Sequence, residues 1–243
     1  DELLSKLFMV LLLPNDKSFL LFQDIPLNRV FIILFLSSIS KKIKEGEKFE
    51  VKTNDPDVKF YHENSKVKIK TDKTFSWHLS NSSRGTIIIY LPNESNISEL
   101  DLNLGAGKID IDKIFVETLL MDLGAGTMTA KEINVYEKAT INGGAGKINI
   151  YSGTINNLNL KLGAGNASIQ SDLTGSNTLT TGVGRLNLGL SRSKDNYRFD
   201  INKGLGNIIL NDFDVSEDTL IGDGETKIKI NGAVGNIIIN TSE

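Results

Sequence analysis

The chain has 243 residues and a mass of 26.7 kDa, a length that suits one large domain or two small ones, and its 40% hydrophobic residues can supply a sizeable core. Its 23% charged residues and formal net charge of -3 exclude an intrinsically disordered chain and argue against a nucleic-acid-binding protein, which would carry a basic excess. With no cysteine and two histidines, the chain excludes disulfide scaffolds and thiolate metal sites, and we expect no metal and no other cofactor.

The N-terminal part of the chain contains two apolar stretches, residues 3–13 and 30–36. Both are far shorter than the roughly 20 residues that a membrane-spanning helix needs. The first has no basic start and no small-residue cleavage site, so we expect a packed helix or cap rather than a signal-peptide core. We interpret residues 1–29 as an N-terminal extension or cap, and the second stretch as a buried strand.

Residues 30–100 alternate apolar and polar side chains in short segments, as at Phe49 and Val51, which predicts irregular coils of β-structure. Ten lysines fall between Lys41 and Lys73, against seven carboxylates. We interpret them as a mixed, solvated sheet face, with attraction to an anionic membrane or cell-wall polymer as the alternative. His78 lies in an alternating segment and is expected to be an exposed sheet residue rather than a base.

A glycine-pair repeat occupies residues 101–243, which contain 20 of the 22 glycines and no proline. The pair encloses alanine in four copies and valine, leucine or aspartate in the next three, and successive copies are 19, 20, 19, 19, 22 and 18 residues apart. The predicted structural corner residues are Gly105, Gly107, Gly124, Gly126, Gly144, Gly146, Gly163, Gly165, Gly182, Gly184, Gly204, Gly206, Gly222 and Gly224.

The segments around each glycine pair alternate with period two and keep their phase from copy to copy, so each copy predicts short strands with one buried face. A unit of about 20 residues cannot bury that face alone, but stacked copies share one core. We therefore predict an all-β single-stranded β-solenoid with rungs of about 19–20 residues, spanning residues 30–243 as one domain. We expect the residue between the glycines, such as Ala145, to face a narrow interior, and residues 240–243 to form the far end of the rod.

Several chemical motifs are absent. Gly107-Lys108 and Gly146-Lys147 lack the upstream glycine and following hydroxyl of a phosphate-binding loop. A calcium-binding β-roll would need aspartates at a nine-residue period, and only Asp223 lies within a glycine pair. Asp110 and Asp112 share a face, but the aligned positions in the next coils are not carboxylates, so we expect a solvated face rather than an acid/base pair. We predict no catalytic, cofactor-binding or metal-binding residue.

The glycine-pair repeat, together with the segment Lys44-Glu45-Gly46-Glu47-Lys48-Phe49-Glu50-Val51 and the strand-rich stretch after it, resembles the bacterial putative-adhesin family of solenoid domains, also described as toast-rack domains of envelope-stress proteins. The resemblance covers roughly residues 24–240. It implies a β-helical fold, association with the cell envelope, and no established enzymatic activity.

From these observations we expect a non-enzymatic, extracytoplasmic β-solenoid of a bacterial cell envelope that acts as a binding, adhesion-type or envelope-stress scaffold. Its expected partner is a protein, a membrane surface or a cell-wall ligand, and not nucleic acid. Two alternatives are a carbohydrate-active parallel β-helix enzyme and an intracellular assembly scaffold. The latter would associate end to end or as a homo-oligomer.

Overall fold

A computed structural model of the chain describes residues 11–12, 19–23, 28–36, 40–47, 49–55, 58–63, 66–71, 86–92, 96–232 and 234–242. Most of the predicted cap over residues 1–29, as well as Trp77 and His78, lies outside the described residues. The described part is almost entirely β-strand, with a short 3-10 turn at Lys194–Asn196. The strands are β1 Leu11–Leu12, β2 Phe19–Gln23, β3 Asn28–Leu36, β4 Ser40–Gly46, β5 Glu50–Thr53, β6 Val58–Glu63, β7 Lys66–Thr71, β8 Thr86–Pro92, β9 Asn96–Leu104, β10 Lys108–Leu123, β11 Thr127–Gly143, β12 Lys147–Ile150, β13 Thr154–Asn156, β14 Leu158–Leu162, β15 Asn166–Thr174, β16 Ser176–Thr181, β17 Val183–Ser193, β18 Tyr197–Asn202, β19 Asn207–Leu210, β20 Phe213–Asp214, β21 Thr219–Ile221, β22 Thr226–Asn231 and β23 Val234–Ser242.

The chain winds into coils of two main strands each, and in coils 3 to 9 the two strands are joined at a corner. First strands of successive coils pair in parallel to form sheet 1, and second strands pair in parallel to form sheet 2. In chain order the described coils are coil 1 (28–36 and 40–46), coil 2 (66–71 and 86–92), coil 3 (96–116), coil 4 (118–135), coil 5 (139–156), coil 6 (158–174), coil 7 (176–193), coil 8 (197–210) and coil 9 (226–232 and 234–242). At about 4.8 Å per strand, this stack is roughly 38 Å long.

The core lies between the two sheets, and each buried position repeats from coil to coil. Ile109 is in register with Met128, which is in register with Ile148. All three are buried. Residues in register in these coils are 19 or 20 residues apart, which equals the spacing of the glycine pairs. The apolar faces of successive coils therefore line the same interior. The predicted all-β solenoid with rungs of about 19–20 residues is thereby confirmed.

A third side connects the second strand of one coil to the first strand of the next. Strands β10 and β11 bend between sheet 2 and sheet 1, and Val116 pairs in register with Val135. Val135 is in register with Ile155 of β13, and all three valine and isoleucine side chains are buried. The cross-section is therefore three-sided, and its apolar interior is closed on every side.

Coil order along the rod differs from coil order along the chain at both ends. The strands of coil 9 lie between those of coil 7 and coil 8, in both sheets. At the opposite end, coil 1 lies between coil 2 and coil 3. The order along the rod is 2-1-3-4-5-6-7-9-8. The expectation that residues 240–243 end the rod is wrong, because Asn240 and Thr241 belong to a strand with neighbours on both sides.

Two polar side chains hold coil 9 in this inserted position. Asn177 faces the core, and its amide nitrogen donates to the carbonyl oxygens of Thr174 (3.1 Å) and Lys227 (3.2 Å). Arg192 donates from Nε to an Asp172 carboxylate oxygen (2.6 Å) and from Nη2 to the Thr226 hydroxyl (3.3 Å). These bonds join coils 6 and 7 to the first residues of coil 9.

Antiparallel strands border the coil stack at both ends. At one end β6 pairs with β7, and β5 pairs with β8. At the other end β21 pairs with β18, and β20 pairs with β19 through a tight turn. On this second end Phe213 and Leu220 are exposed. Antiparallel pairing removes the backbone groups of the outermost coil strands from the edge, where they would otherwise recruit another chain.

Candidate functional site: the glycine corner

The corner between sheet 1 and sheet 2 is built from stacked glycine pairs. Twelve of the fourteen predicted corner glycines line up along it, in two columns. The first column holds Gly105, Gly124, Gly144, Gly163, Gly182 and, beside Gly232, Gly204; the second holds Gly107, Gly126, Gly146, Gly165, Gly184 and, beside Gly235, Gly206.

Gly222 and Gly224 do not lie in these columns. They precede the first strand of coil 9 and contact the backbone around Tyr197. The corner of coil 9 is instead formed by Gly232 and Gly235, whose spacing is one residue longer than in the other copies. The glycine spacing therefore predicted a corner at Gly222 and Gly224, but this segment lies before the first strand of coil 9 and forms no corner between the two sheets.

Close backbone approach explains why these positions are glycine. The amide of Gly124 donates to the carbonyl of Leu104 (2.8 Å), and that of Ala125 donates to the carbonyl of Gly105 (2.9 Å). A β-carbon on Gly124 would lie within 3.0 Å of the Gly105 carbonyl oxygen. A side chain here would break the hydrogen bonds that join successive corners, and glycine avoids that conflict.

The residue between the two glycines points outward, contrary to the expectation of a narrow interior. Ala145 is exposed, and Leu205 retains 91% of its accessible surface. We call this column the corner ridge. In order along the rod it consists of Ala106, Ala125, Ala145, Ala164, Val183, Val234 and Leu205. It is apolar throughout, about 29 Å long at the strand spacing, and its side chains grow from alanine to leucine toward coil 8.

A shallow groove of about 540 Å³ runs beside the corner ridge across coils 3 to 6. Its floor is formed by Leu104, Leu123, Gly143 and Leu162, which are buried. Its outer rim is polar and includes Lys161 and Asp122. An extended molecule lying in this corner groove would meet an apolar floor on one side and hydrogen-bonding groups on the other.

Positive charges recur on the other flank of the ridge. Lys108, Lys147 and Arg185 occupy the same register position in coils 3, 5 and 7, and all three are exposed. We call them the cation row. Alternate coils place these charges about 9.6 Å apart, twice the strand spacing. Lys108 forms an ion pair with Asp110 at 2.9 Å.

The carboxylates considered as an acid/base pair are held by lysines. Asp110 contacts Lys108, and Asp112 contacts Lys131 at 2.7 Å. Within the described ranges there is no group of three or more histidine or carboxylate side chains that could hold a metal ion.

Asp101 is a carboxylate with a shifted pKa that the sequence did not single out. Burial, followed by repulsion from neighbouring carboxylates, raises its pKa. It lies on the outer face of sheet 1, where neither spacing nor a motif distinguishes it.

Lys41 is a second residue that sequence reasoning missed. It lies in register between Ile87 and Ile109, two core residues, and is only 2% exposed. Its Nζ donates to the carbonyl of Ala106 at 3.5 Å, beneath the corner of coil 3. Burial lowers the pKa of Lys41 to about 8. The period-two alternation that buries Ile43 also buries Lys41, so the signal was present in the sequence.

These features define a repeat protein of the β-solenoid class, with a glycine-lined corner. The model of the Toastrack DUF4097 family matches residues 38–241, and the chain belongs to this family. The resemblance noted from the glycine repeat is thus confirmed. No curated protein matches the chain.

Three solved structures match most of this chain at low sequence identity. A putative cell adhesion protein from Clostridium sporogenes is 17% identical, with 88% of this chain and 93% of that chain covered and a TM-score of 0.39. A putative adhesin from Parabacteroides distasonis is 13% identical, with 89% and 94% covered and a TM-score of 0.44. A putative lipid binding protein from the same species is 14% identical, with 94% and 98% covered and a TM-score of 0.34. Within the part of the chain that the structure describes, no helix has the length and hydrophobicity required to cross a bilayer.

Proposed function

We propose that this protein is a non-enzymatic β-solenoid of a bacterial cell envelope, and that it binds an extended partner along its glycine corner. The observation that carries the proposal is the corner ridge, an uninterrupted line of exposed apolar side chains from Ala106 to Leu205. Contiguous exposed apolar surface is typical of an interaction site rather than of a solvated face.

The surroundings of the ridge support an elongated partner. The corner groove is lined by residues of four successive coils and therefore runs along the rod. The cation row follows the same direction on the opposite flank. A linear cell-wall polymer or an extended protein segment could contact the apolar line and the flanking polar groups at once, one coil after another.

The test compares two exposed substitutions that each introduce one negative charge. Ala145→Glu places it in the middle of the ridge, and Gln170→Glu places it on the outer face of sheet 2, away from the corner. The full chain is incubated with peptidoglycan, an anionic polysaccharide and phosphatidylglycerol vesicles, and the bound fraction is measured by co-sedimentation. We expect loss of binding for Ala145→Glu and retention for Gln170→Glu. Absence of binding to every probe, or equal behaviour of the two variants, contradicts the proposal.

The envelope location and the absence of catalysis are tested separately. Protease treatment of intact bacteria, with lysed bacteria as the control, should cleave the protein before lysis. Incubation with pectin-, alginate- and peptidoglycan-type polymers should release no product. Product release that is abolished by Asp110→Asn or Asp112→Asn would favour the carbohydrate-active alternative.

A second candidate function is assembly through the rod end. Leu205 and Phe213 are 91% and 76% exposed; Leu205 lies at the corner of coil 8, and Phe213 lies on β20, which pairs with β19 of that coil. Stacking of two such ends would cover them, which favours the assembly scaffold. Sedimentation of the wild type and of Phe213→Ser over a range of concentrations tests it: self-association that is weakened by the substitution supports the scaffold, and a monomer at every concentration contradicts it.

A further inference from the structure

A cavity of about 310 Å³ on the outer face of sheet 1, remote from the glycine corner, is rich in positive charge. Three neighbouring strands, β16, β22 and β18, bring Ser176, Lys227 and Arg198 into register. Two residues further along the same strands, Thr178, Lys229 and Asp200 are in register on the same face of the sheet. The insertion of coil 9 between coils 7 and 8 creates this neighbourhood, because Lys227 and Lys229 come from the inserted strand.

The charges of this cavity are unbalanced. Arg198, Lys227 and Lys229 contribute three positive charges, and Asp200 is the one carboxylate that lines it. Asp200 lies 3.6 Å from Lys229. Neither Arg198 nor Lys227 has a carboxylate within ion-pair distance among the described residues, although they face each other on adjacent strands. Like charges directly opposite each other in a sheet are unfavourable unless an anion lies between them.

The remaining lining groups complement a tetrahedral oxyanion. The Arg198 guanidinium offers a fork of donors, and Lys227 offers a mobile ammonium group. Ser176 and Thr178 place hydroxyl groups on the adjoining strand. Leu220, which is 56% exposed on β21, forms an apolar wall beside them. The excess of two positive charges matches a phosphate group, and the apolar wall suits an organic substituent attached to it.

We propose that the cavity formed by Ser176, Thr178, Arg198, Asp200, Leu220 and Lys227 is a binding site for a phosphate group, carried either by a soluble phosphate ester or by a phospholipid headgroup. Arg198 and Lys227 hold the anionic oxygens, and the hydroxyls of Ser176 and Thr178 donate to the same group. Asp200 keeps Lys229 at the far side of the cavity, which leaves the space between Arg198 and Lys227 open to the ligand.

The experiment measures binding of inorganic phosphate and glycerol 3-phosphate to the full chain by calorimetry. Co-sedimentation with phosphatidylglycerol vesicles is measured in parallel, with phosphatidylcholine vesicles as the comparison. The variants are Arg198→Gln and Lys227→Gln, and the matched control is Lys138→Gln, which removes the same charge from an exposed position of β11 that lines neither the cavity nor the corner groove. Circular dichroism establishes that each variant is folded. Arg198→Lys keeps the charge but removes the fork of donors.

We expect Arg198→Gln and Lys227→Gln each to weaken binding at least about tenfold, because each removes a charge-assisted contact, whereas Lys138→Gln leaves it unchanged. Arg198→Lys should fall between the wild type and Arg198→Gln. Binding of the soluble phosphates with this pattern identifies a soluble ester as the ligand; binding confined to phosphatidylglycerol vesicles, with the same pattern, identifies a headgroup. Absence of binding in both assays, or equal losses for Arg198→Gln and Lys138→Gln, overturns the proposal. Substitutions on the corner ridge leave this cavity intact, so the two sites fail or succeed independently.

Discussion

Replacing Lys41 by methionine should stabilise the protein at neutral pH, because it removes an ammonium group from the core while retaining a side chain of similar length. Burial lowers the pKa of Lys41 from 10.5 to about 8. The charged form is therefore disfavoured in the folded state, by about 3 kcal/mol at about 1.36 kcal/mol per pKa unit. This penalty is complete below about pH 8, where Lys41 is protonated in both the folded and the unfolded chain.

The sign of the pH dependence follows from proton binding. Between about pH 8 and about pH 10.5 the unfolded chain holds a proton that folded Lys41 has lost, so the free energy of unfolding of the wild type rises across this window. The Lys41→Met variant lacks that rise. The difference in stability between the variant and the wild type should therefore be larger near pH 7 than near pH 10.5 by up to about 3 kcal/mol.

The assay is denaturation by urea, followed by circular dichroism, at both pH values. All other titrating groups are common to the two proteins and cancel in the difference. Lys42→Met removes a lysine from the opposite, partly exposed face of the same strand and controls for the loss of one charge. The reasoning is refuted if the difference between Lys41→Met and the wild type has the same value at both pH values.

Three further predictions concern the corner and the inserted coil. Gly144→Ala should destabilise the fold by about 1–3 kcal/mol, because its β-carbon would overlap backbone of the preceding coil, whereas Gly105→Ala meets open space and should be nearly neutral in thermal melts. Ala145→Leu lies on the exposed ridge and should change stability by less than about 0.5 kcal/mol; a cost as large as that of Gly144→Ala would show that the side chain of Ala145 faces the interior. Arg192→Met should cost about 1–3 kcal/mol and increase hydrogen exchange in β22, since it leaves Asp172 without its hydrogen-bond donor; unchanged exchange there would show that the arginine does not hold the inserted coil.

The winding of the chain could be predicted from sequence because two periods specify it. The alternation of apolar residues fixed which face of each strand is buried, and the glycine spacing fixed the register of Ile109, Met128 and Ile148. The order of the terminal coils could not be predicted. Alternation defines the faces of a strand but not its neighbours, and strand β16 presents the same pattern to β22 as it would to β18.

The glycine corner was predicted as a structural feature and not as a binding site, and the direction of the residue between the glycines was predicted wrongly. The glycine columns were found by spacing, yet a small residue between two glycines fits either side of a corner. The growth of this residue from Ala106 to Leu205 was the available signal, because a narrow interior would not admit both. The cavity around Arg198 and Lys227 had no sequence signal, since its residues meet only through the inserted strand.

The exchange of coils at each end determines how rods of other lengths could arise. A coil added after β23 would have to continue from a strand that already has a neighbour on each side, so it could not simply stack on the end of the rod. A coil added before β3 would meet the same obstacle. Coils 3 to 6, by contrast, follow one another in simple succession and repeat the same corner. Duplication of a segment of about 19 residues within this central region would lengthen the rod while keeping both closed ends. We therefore expect longer and shorter relatives to differ in the number of central coils, with the two terminal exchanges retained as a fixed frame.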